Sequence, residues 1–315
     1  MNQSKTLKEG AIFTAIYLVL ILVTFFLPIL APIASFLLPI PFVIYTSRQG
    51  MKPGVFMIVV TAILSTILFT LISLPFTLLM GIGGLLIGHA IFRKRSAYET
   101  LGYGILGFVG GLLISIACTQ LIFDVNFQQE FEAIATEQMQ TYTSFMEGMG
   151  LESDEDGGLE TILREQIQLF LNLIPAFIAI SAVILAFLVQ WISYKILNRK
   201  GKNNYRFPPF RNLKLPASII WLYLIVIIVS FINLDPNGTM FIAIQNALII
   251  LEMLLVIQGF SFIFYFTHYK KWSKAVPIIS IVLTIVFPIF LLYFVRILGI
   301  IDIGLNLRER LQKNK

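Results

Sequence analysis

The residues that could do chemistry in this chain lie in long apolar runs near its carboxy terminus. Glu252 lies near the middle of the run Met240–Phe266, with Gln245 and Gln258 about two turns to either side. An ionised carboxylate deep in a membrane costs roughly 2.5–3.5 kcal/mol on insertion scales, so we expect Glu252 to face other helices. It is either a protonated group bonded to a neighbouring helix or a proton- or ligand-linked group. Arg296 is a candidate partner, although a straight last helix would place it nearer the outer interface.

The composition indicates that these runs lie in a membrane. Of the 315 residues, 57% are hydrophobic and 13% are charged, whereas a soluble domain carries about 25% charged residues. With a mean hydropathy of +0.87, a soluble core would have no polar surface to cover it. The sequence therefore predicts an all-α integral membrane protein, embedded in the lipid bilayer of a cell membrane.

The sequence carries no motif for chemistry of its own. Cys118 is the single cysteine, and the two histidines, His89 and His268, fall in different apolar segments, which argues against a metal site. There is no GxxxxGK(S/T) phosphate loop, no HExxH zinc motif and no dinucleotide fingerprint. We therefore expect a protein that is not an enzyme, binds no metal or cofactor, and hydrolyses no nucleotide.

Nine apolar runs are candidate crossings, because about 20 apolar residues span a bilayer. They are Ala11–Phe26, Ala34–Tyr45, Pro53–Ser73, Pro75–Phe92, Leu101–Phe123, Ile167–Leu197, Ala217–Ile232, Met240–Phe266 and Val276–Ile301. The short second run could be re-entrant. As a true crossing, with the amino terminus cytoplasmic, it leaves 17 of the 23 basic residues in cytoplasmic loops. The positive-inside bias therefore favours the true crossing.

Pro288 divides the last run and leaves two alternatives open. If Val276–Ile301 crosses once, there are nine crossings, and the basic tail with Arg308 and Arg310 ends outside. If the run folds back at Pro288, there are ten short-legged segments and the tail returns to the cytoplasm. The charge of the tail favours the hairpin.

The runs and loops divide the chain into five parts. These are residues 1–123 with membrane helices 1–5, 124–166 as an extracytoplasmic insertion, 167–197 as helix 6, 198–216 as a cytoplasmic loop, and 217–315 with the C-terminal helices and tail. The insertion holds 11 of the 17 acidic residues. Its apolar residues recur from Phe127 to Met149 at helical spacing, which predicts an amphipathic helix, either lying on the bundle or covering a pocket. The basic and aromatic loop indicates contact with anionic headgroups and not with nucleic acid.

Two rows of glycines predict close packing between helices. They recur at spacings of three and four in consecutive segments, as Gly81, Gly84 and Gly88 and as Gly104, Gly107 and Gly111. Each row contains a GxxxG pattern, which lets two helix backbones approach each other.

The order of several short motifs resembles known families. The stretch Ala11 to Ala15, Pro39 to Pro41 before the Arg48 to Gly50 turn, and the glycine-rich Gly81 to Gly88 resemble the six-helix substrate-capture (S) components of energy-coupling factor transporters. The whole chain, including Gly299 to Asp302 and Leu307 to Arg310, looks closer still to the bacterial YybS family of membrane proteins.

The S-component resemblance implies a six-helix N-terminal bundle and a transport-related, substrate-binding subunit. Ala11 and Ala15 then match the small-residue pair that docks on a transporter scaffold subunit. The expected partners are this scaffold, a separate ATPase and an unknown small molecule. The short outer loop Phe26–Ala34 and the helices after Leu197 depart from the S-component pattern. A membrane scaffold or regulatory protein with no small-molecule substrate is the alternative.

Overall fold

The computed structural model describes residues 3–148, 166–200, 204–232, 234–235 and 238–313. They form two compact units, Met1–Arg206 and Phe207–Lys315. The helices are α1 Gln3–Phe26, α2 Ala31–Leu37, α3 Ile40–Gln49, α4 Met51–Phe69, α5 Ser73–Phe92, α6 Ala97–Phe123, α7 Phe127–Gly148, α8 Ile174–Lys200, α9 Ser218–Ser230, α10 Thr239–Tyr269, α11 Ala275–Val286, α12 Pro288–Gly304 and α13 Leu307–Lys313. No strand occurs in these ranges, and the predicted all-α membrane class is confirmed.

Local sequence explains where several helices begin and end. α6 starts with a capping box, in which the Glu99 backbone N–H donates to the Ser96 hydroxyl at 3.3 Å and the Ser96 N–H donates to the Glu99 carboxylate at 2.9 Å. Gly50, with φ +87°, makes the turn between α3 and α4. Pro288 is the first residue of α12, where its missing N–H costs no hydrogen bond.

Helices α1 to α8 belong to the first unit, in which α1 to α6 and α8 supply the crossings and α2 and α3 act together as one crossing. Consecutive crossings alternate in direction: the end of α3 meets the start of α1 through Gln49, which accepts from Thr6 at 3.0 Å, and the side chain of Gln190 in α8 donates to the carbonyl of Ala97 at the start of α6 at 2.9 Å. The same end, which we call the basic end, carries Lys5, Lys8, Arg48, Lys52, Arg93, Lys94, Arg95, Lys195 and Arg199.

The second apolar run crosses the bundle and returns to the basic end. Gln49 also donates to Glu9 at 2.9 Å, so the end of α3 lies beside the start of α1. A re-entrant segment would leave Gln49 at the opposite end. The run Ala31–Gln49 has the length and hydropathy of a membrane span, despite the break at Leu38 and Pro39 between α2 and α3. Which end faces the cytoplasm stays a prediction.

The acidic insertion begins at the end of the bundle opposite to the basic end. Its first part is the predicted helix, α7, and Asp124 with φ +53° ends the preceding α6. The acidic turn around Asp154 and the end of the apolar stripe, Met149, lie outside the described residues. Whether α7 covers a pocket stays a prediction.

Seven helices of the described ranges are long and apolar enough to cross a membrane, so the predicted nine crossings are not confirmed. Six of them belong to the first unit and α10 to the second. The run predicted at Ala217–Ile232 forms only 13 helical residues, about 20 Å of helix. The run predicted at Ile167–Leu197 is helical over residues 166–172 and again over Ile174–Lys200, with a break at Leu173, where Pro175 in the first turn of α8 favours a new helix start.

Within the second unit, α10 and α12 run parallel. Their contacts advance together along both helices: Glu252 pairs with Arg296, Gln258 with Asp302, and further on the Tyr269 hydroxyl donates to the carbonyl of Leu311 at 2.7 Å. Two parallel helices need a returning segment between them, and the 12 residues of α11 supply it. Of the two alternatives at Pro288, the structure therefore has the hairpin.

The hairpin returns the tail to the end of the second unit that carries loop 207–216. Arg308 donates to the carbonyl of Arg211 at 2.8 Å, and Lys214 pairs with Glu309 at 2.8 Å. Because this end also carries Lys270, Lys271 and Lys274, positive-inside orientation predicts a cytoplasmic tail.

A reporter fused after Lys315 tests the side of the tail. We expect alkaline phosphatase to be inactive there and green fluorescent protein to be fluorescent. The same reporters fused after Ser230, at the opposite end of α9, serve as the control and should give the reverse result. Active phosphatase after Lys315 would contradict the cytoplasmic assignment.

Candidate functional site

An ion pair lies in the middle of the second unit. The carboxylate of Glu252 on α10 pairs with the guanidinium of Arg296 on α12, and the hydroxyl of Tyr223 on α9 donates to the same carboxylate at 3.3 Å. The guanidinium also lies over the ring of Tyr293, 5.1 Å from its centroid. Three helices thus bring one acid, one base and two phenols together inside an apolar unit.

The hairpin explains why Arg296 reaches Glu252. A straight last helix would have carried Arg296 toward the other end, whereas the parallel α12 places it beside the middle of α10. The side chain of Glu252 is 39% exposed and that of Arg296 is 18% exposed. The pair therefore satisfies each charge, while part of the Glu252 side chain stays accessible.

Gln258, predicted to belong with Glu252, takes part in a second polar cluster. Its amide nitrogen donates to Asp302 on α12, and its oxygen accepts from the backbone N–H of Leu215 at 2.9 Å. Gln245 is half-buried two turns before Glu252 and belongs to neither cluster. The predicted polar residues therefore do not form a single group, because Glu252 and Arg296 form one cluster and Gln258 belongs to another.

The second cluster is built on Asp302 and Arg308, which are only 1% and 7% exposed. The Arg308 guanidinium donates to the Asp302 carboxylate at 2.9 Å and to the hydroxyl of Ser261 at 3.1 Å. The Ser261 hydroxyl in turn donates to the carbonyl of Leu213 at 2.8 Å. Every partner of this buried charge pair is therefore a polar group of α10, α12, the tail or loop 207–216.

Sequence reasoning missed this cluster as a site. Asp302 entered only as part of a family resemblance, and Arg308 only in that resemblance and as a charge of the basic tail. The available signal was an acidic residue at the end of an apolar run, with a basic residue less than two turns further on. The cluster also needs Gln258, which lies 44 residues before Asp302, and Ser261, which lies 47 residues before Arg308. These residues come together only because α10 and α12 are parallel.

In the first unit, Ala11 and Ala15 line a groove between α1 and α4. The groove has a volume of about 330 Å³. Its walls are Leu7, Gly10, Ala11, Thr14, Ala15, Leu18, Tyr45, Phe56, Met57, Val60 and Leu64. Both alanines are exposed, as a docking surface requires.

Buried hydroxyls connect α1, α4 and α5 beneath this groove. Thr14 and Thr61 lie 3.2 Å apart. One turn further on, the Tyr17 hydroxyl donates to Thr77 at 2.9 Å, and Ser65 lies 3.0 Å from the same Thr77 hydroxyl. Such interhelical hydrogen bonds stabilise packing inside a membrane, where the alternative is an unsatisfied polar group.

The two glycine rows pack on different neighbours and not on each other. A Cβ at Gly84 would lie 2.5 Å from the Pro39 carbonyl oxygen, and one at Gly88 2.7 Å from that of Val43, so this part of the row faces α3. Gly81 packs on Ile58 of α4, while Gly104, Gly107 and Gly111 meet α5 at Ile87, Gly83 and Leu79. Gly83 is thus the glycine of α5 that contacts α6, and the spacing of the predicted row did not include it.

Within the described ranges, no three His, Cys, Asp or Glu side chains come together as metal ligands. The two clusters of the second unit offer hydrogen bonds and ion pairs to a ligand.

The helices and these intramembrane ion pairs define an all-α integral membrane protein. The chain belongs to the family described as predicted membrane protein DUF2232, whose model matches residues 15–303. It is 30% identical over 318 residues to uncharacterized protein YybS of Bacillus subtilis (strain 168), over 99% of this chain and 100% of that protein. The predicted likeness to the YybS family is confirmed. No solved structure matches, and the similarity to S components stays a prediction.

Proposed function

We propose that this protein is a membrane-embedded, substrate-binding subunit that works in transport with a separate ATPase. The proposal is carried by one observation: Glu252 and Arg296 form an ion pair between apolar helices, with the Glu252 side chain 39% exposed. Charged groups within membrane helices usually mark a binding site or an ion path, because burying them is costly. The sequence carries no motif for nucleotide hydrolysis, and active transport would need a separate ATPase or an ion gradient; the S-component resemblance favours the ATPase.

The ligand expected at this site is a small polar molecule. Glu252 offers a carboxylate, Arg296 a guanidinium, and Tyr223 and Tyr293 offer phenols and ring faces. A molecule with both a positive and a negative group can replace each half of the ion pair without leaving a charge unpaired. The α11–α12 hairpin supports the same interpretation, since broken helices line the binding sites of many transporters.

A ligand screen on the purified full-length protein tests the proposal. We expect a small zwitterion or ion to raise thermal stability, because a ligand at 100 times its Kd adds about 2.7 kcal/mol to the free energy of unfolding. Glu252→Gln and Arg296→Gln should each abolish this increase. Gln245→Ala, on the same helix outside both clusters, should leave it unchanged.

Three results would contradict the ligand site. They are a screen with no stabilising compound, a hit that persists in Glu252→Gln, and equal loss of the hit in Gln245→Ala.

A scaffold or regulatory role is the second candidate. It is favoured because the charges of Glu252 and Arg296 neutralise each other, as they would in a purely structural ion pair. Copurification after mild extraction distinguishes the two. Transporter scaffold and ATPase chains should accompany a transport subunit. A scaffold should retain other partners, with Glu252→Gln having no effect on their capture.

A further inference from the structure

The groove between α1 and α4 opens toward lipid and not toward the interior of the unit. Leu7 at one end and Phe56 on the opposite wall are 62% and 59% exposed. Thr14 on its floor is hydrogen-bonded to Thr61, so the surface offered to an occupant is almost wholly apolar. An apolar chain from the bilayer can enter it sideways.

The groove has the form of a slot along α1. From Leu7 to Leu18 it is about 16 Å long, at a rise of 1.5 Å per residue, and its volume is about 330 Å³. This length and the apolar lining suit an acyl chain that lies along the helix, and the charges at one end of the groove favour a lipid over a protein helix.

Two lysines lie at one end of the groove. Lys8 precedes Ala11 by one turn of α1, and Lys52 precedes Phe56 by one turn of α4. Both helices start at the basic end and run parallel, because Thr14 meets Thr61 and, one turn further on, Tyr17 and Ser65 both meet Thr77. Side chains lean toward the start of their helix, which brings both lysines toward the basic end of the groove.

Both lysines are available for an anion. Each is exposed, and in the described part of the chain neither forms an ion pair with a carboxylate. Glu9, the acidic residue next to Lys8, is instead bonded to Gln49. The groove thus combines an apolar slot with two free positive charges at its headgroup end.

We propose that this groove binds one anionic phospholipid, with an acyl chain along Ala11 and Ala15 and the phosphate between Lys8 and Lys52. Basic pockets between membrane helices recognise anionic headgroups in this way. The occupant of the Ala11–Ala15 face is then a lipid and not the scaffold helix that the S-component resemblance implies.

Native mass spectrometry of the full-length protein, delipidated and then titrated with phosphatidylglycerol or phosphatidylcholine, tests the site. We expect one phosphatidylglycerol to be retained preferentially. Lys8→Gln with Lys52→Gln should weaken it roughly tenfold to thirtyfold, because each lysine contributes about 1 kcal/mol near an anionic surface. Ala15→Phe, which fills the slot and keeps the charges, should release both lipids.

Lys270→Gln with Lys271→Gln removes the same charge from the second unit and is the control. The proposal is overturned if this control weakens phosphatidylglycerol binding as much as the Lys8 and Lys52 variant does. It is also overturned if the Ala15→Phe protein binds phosphatidylglycerol as tightly as the wild-type protein does.

A photocrosslinking residue at Phe56 in growing cells identifies the occupant directly. An adduct with the mass of a phospholipid supports the proposal. An adduct with the mass of a second chain or of another membrane protein overturns it, and would return the Ala11–Ala15 face to protein docking.

Discussion

Arg308→Ala is expected to destabilise the second unit by about 3–5 kcal/mol, the usual cost of removing one partner of a buried ion pair. The substitution leaves the Asp302 carboxylate, 1% exposed, without its cation. It also removes the donors to Ser261 and to the carbonyl of Arg211. Unfolding by SDS in mixed micelles measures the loss, and faster tryptic cleavage at Lys214 should report release of loop 207–216.

The Lys214–Glu309 pair provides the matched control. It joins the same loop to the same tail, but its side chains are 40% and 61% exposed. Lys214→Ala should therefore cost at most about 1 kcal/mol. Equal losses from Arg308→Ala and Lys214→Ala would show that the Asp302 cluster contributes no more than an exposed pair.

Gly299→Ala and Gly259→Ala are expected to separate α10 from α12. A Cβ at Gly299 would overlap with the carbonyl oxygen of Leu255, and one at Gly259 with that of Val295. Alanine favours a helix by about 1 kcal/mol over glycine, but backbone atoms cannot move aside as side chains do. Overpacking costs about 1–3 kcal/mol or more, so each variant should lose stability and should weaken the Glu252–Arg296 pairing.

Gly102→Ala and Gly110→Ala in α6 are the controls for this effect. A Cβ at either position would meet nothing within 4 Å, so only the helix preference of alanine remains. Both variants should be as stable as the natural protein or slightly more so in the same SDS titration. If Gly299→Ala were as stable as Gly102→Ala, close α10–α12 packing would not be required.

The features that the sequence predicts well are those governed by composition and charge. Apolar runs predict membrane helices because lipid accepts little else, and the basic loops indicate which ends of the first unit lie together. Pro288 marks the break in the last run, since proline cannot continue a helix with its hydrogen bonds intact, but it left a straight crossing and a hairpin open, and only the basic tail favoured the hairpin. The number of crossings could not be counted in this way, because hydropathy alone did not show that α9 has only 13 residues.

The candidate site needed contacts over long sequence separations. Glu252 was found as an isolated charge, but its pairing with Arg296 depends on the parallel direction of α12, which the spacing did not contain. The Asp302 cluster depends on the same packing. Likewise, the glycine rows indicated that helices approach each other closely. They did not indicate that Gly84 packs against α3 or that Gly107 packs against Gly83, because these contacts follow from the arrangement of the whole bundle.

The hairpin also matters while the protein is being made. With α11 entering and α12 returning to the same end, the basic tail stays on the side where α10 ended. Insertion of this last part of the chain therefore need not move Arg308, Arg310 or Lys313 across the bilayer, each of which would cost roughly 2.5–3.5 kcal/mol at its centre. The two apolar legs can enter together as a pair, and with the predicted cytoplasmic tail Arg308 meets Asp302 on the side at which it is synthesised.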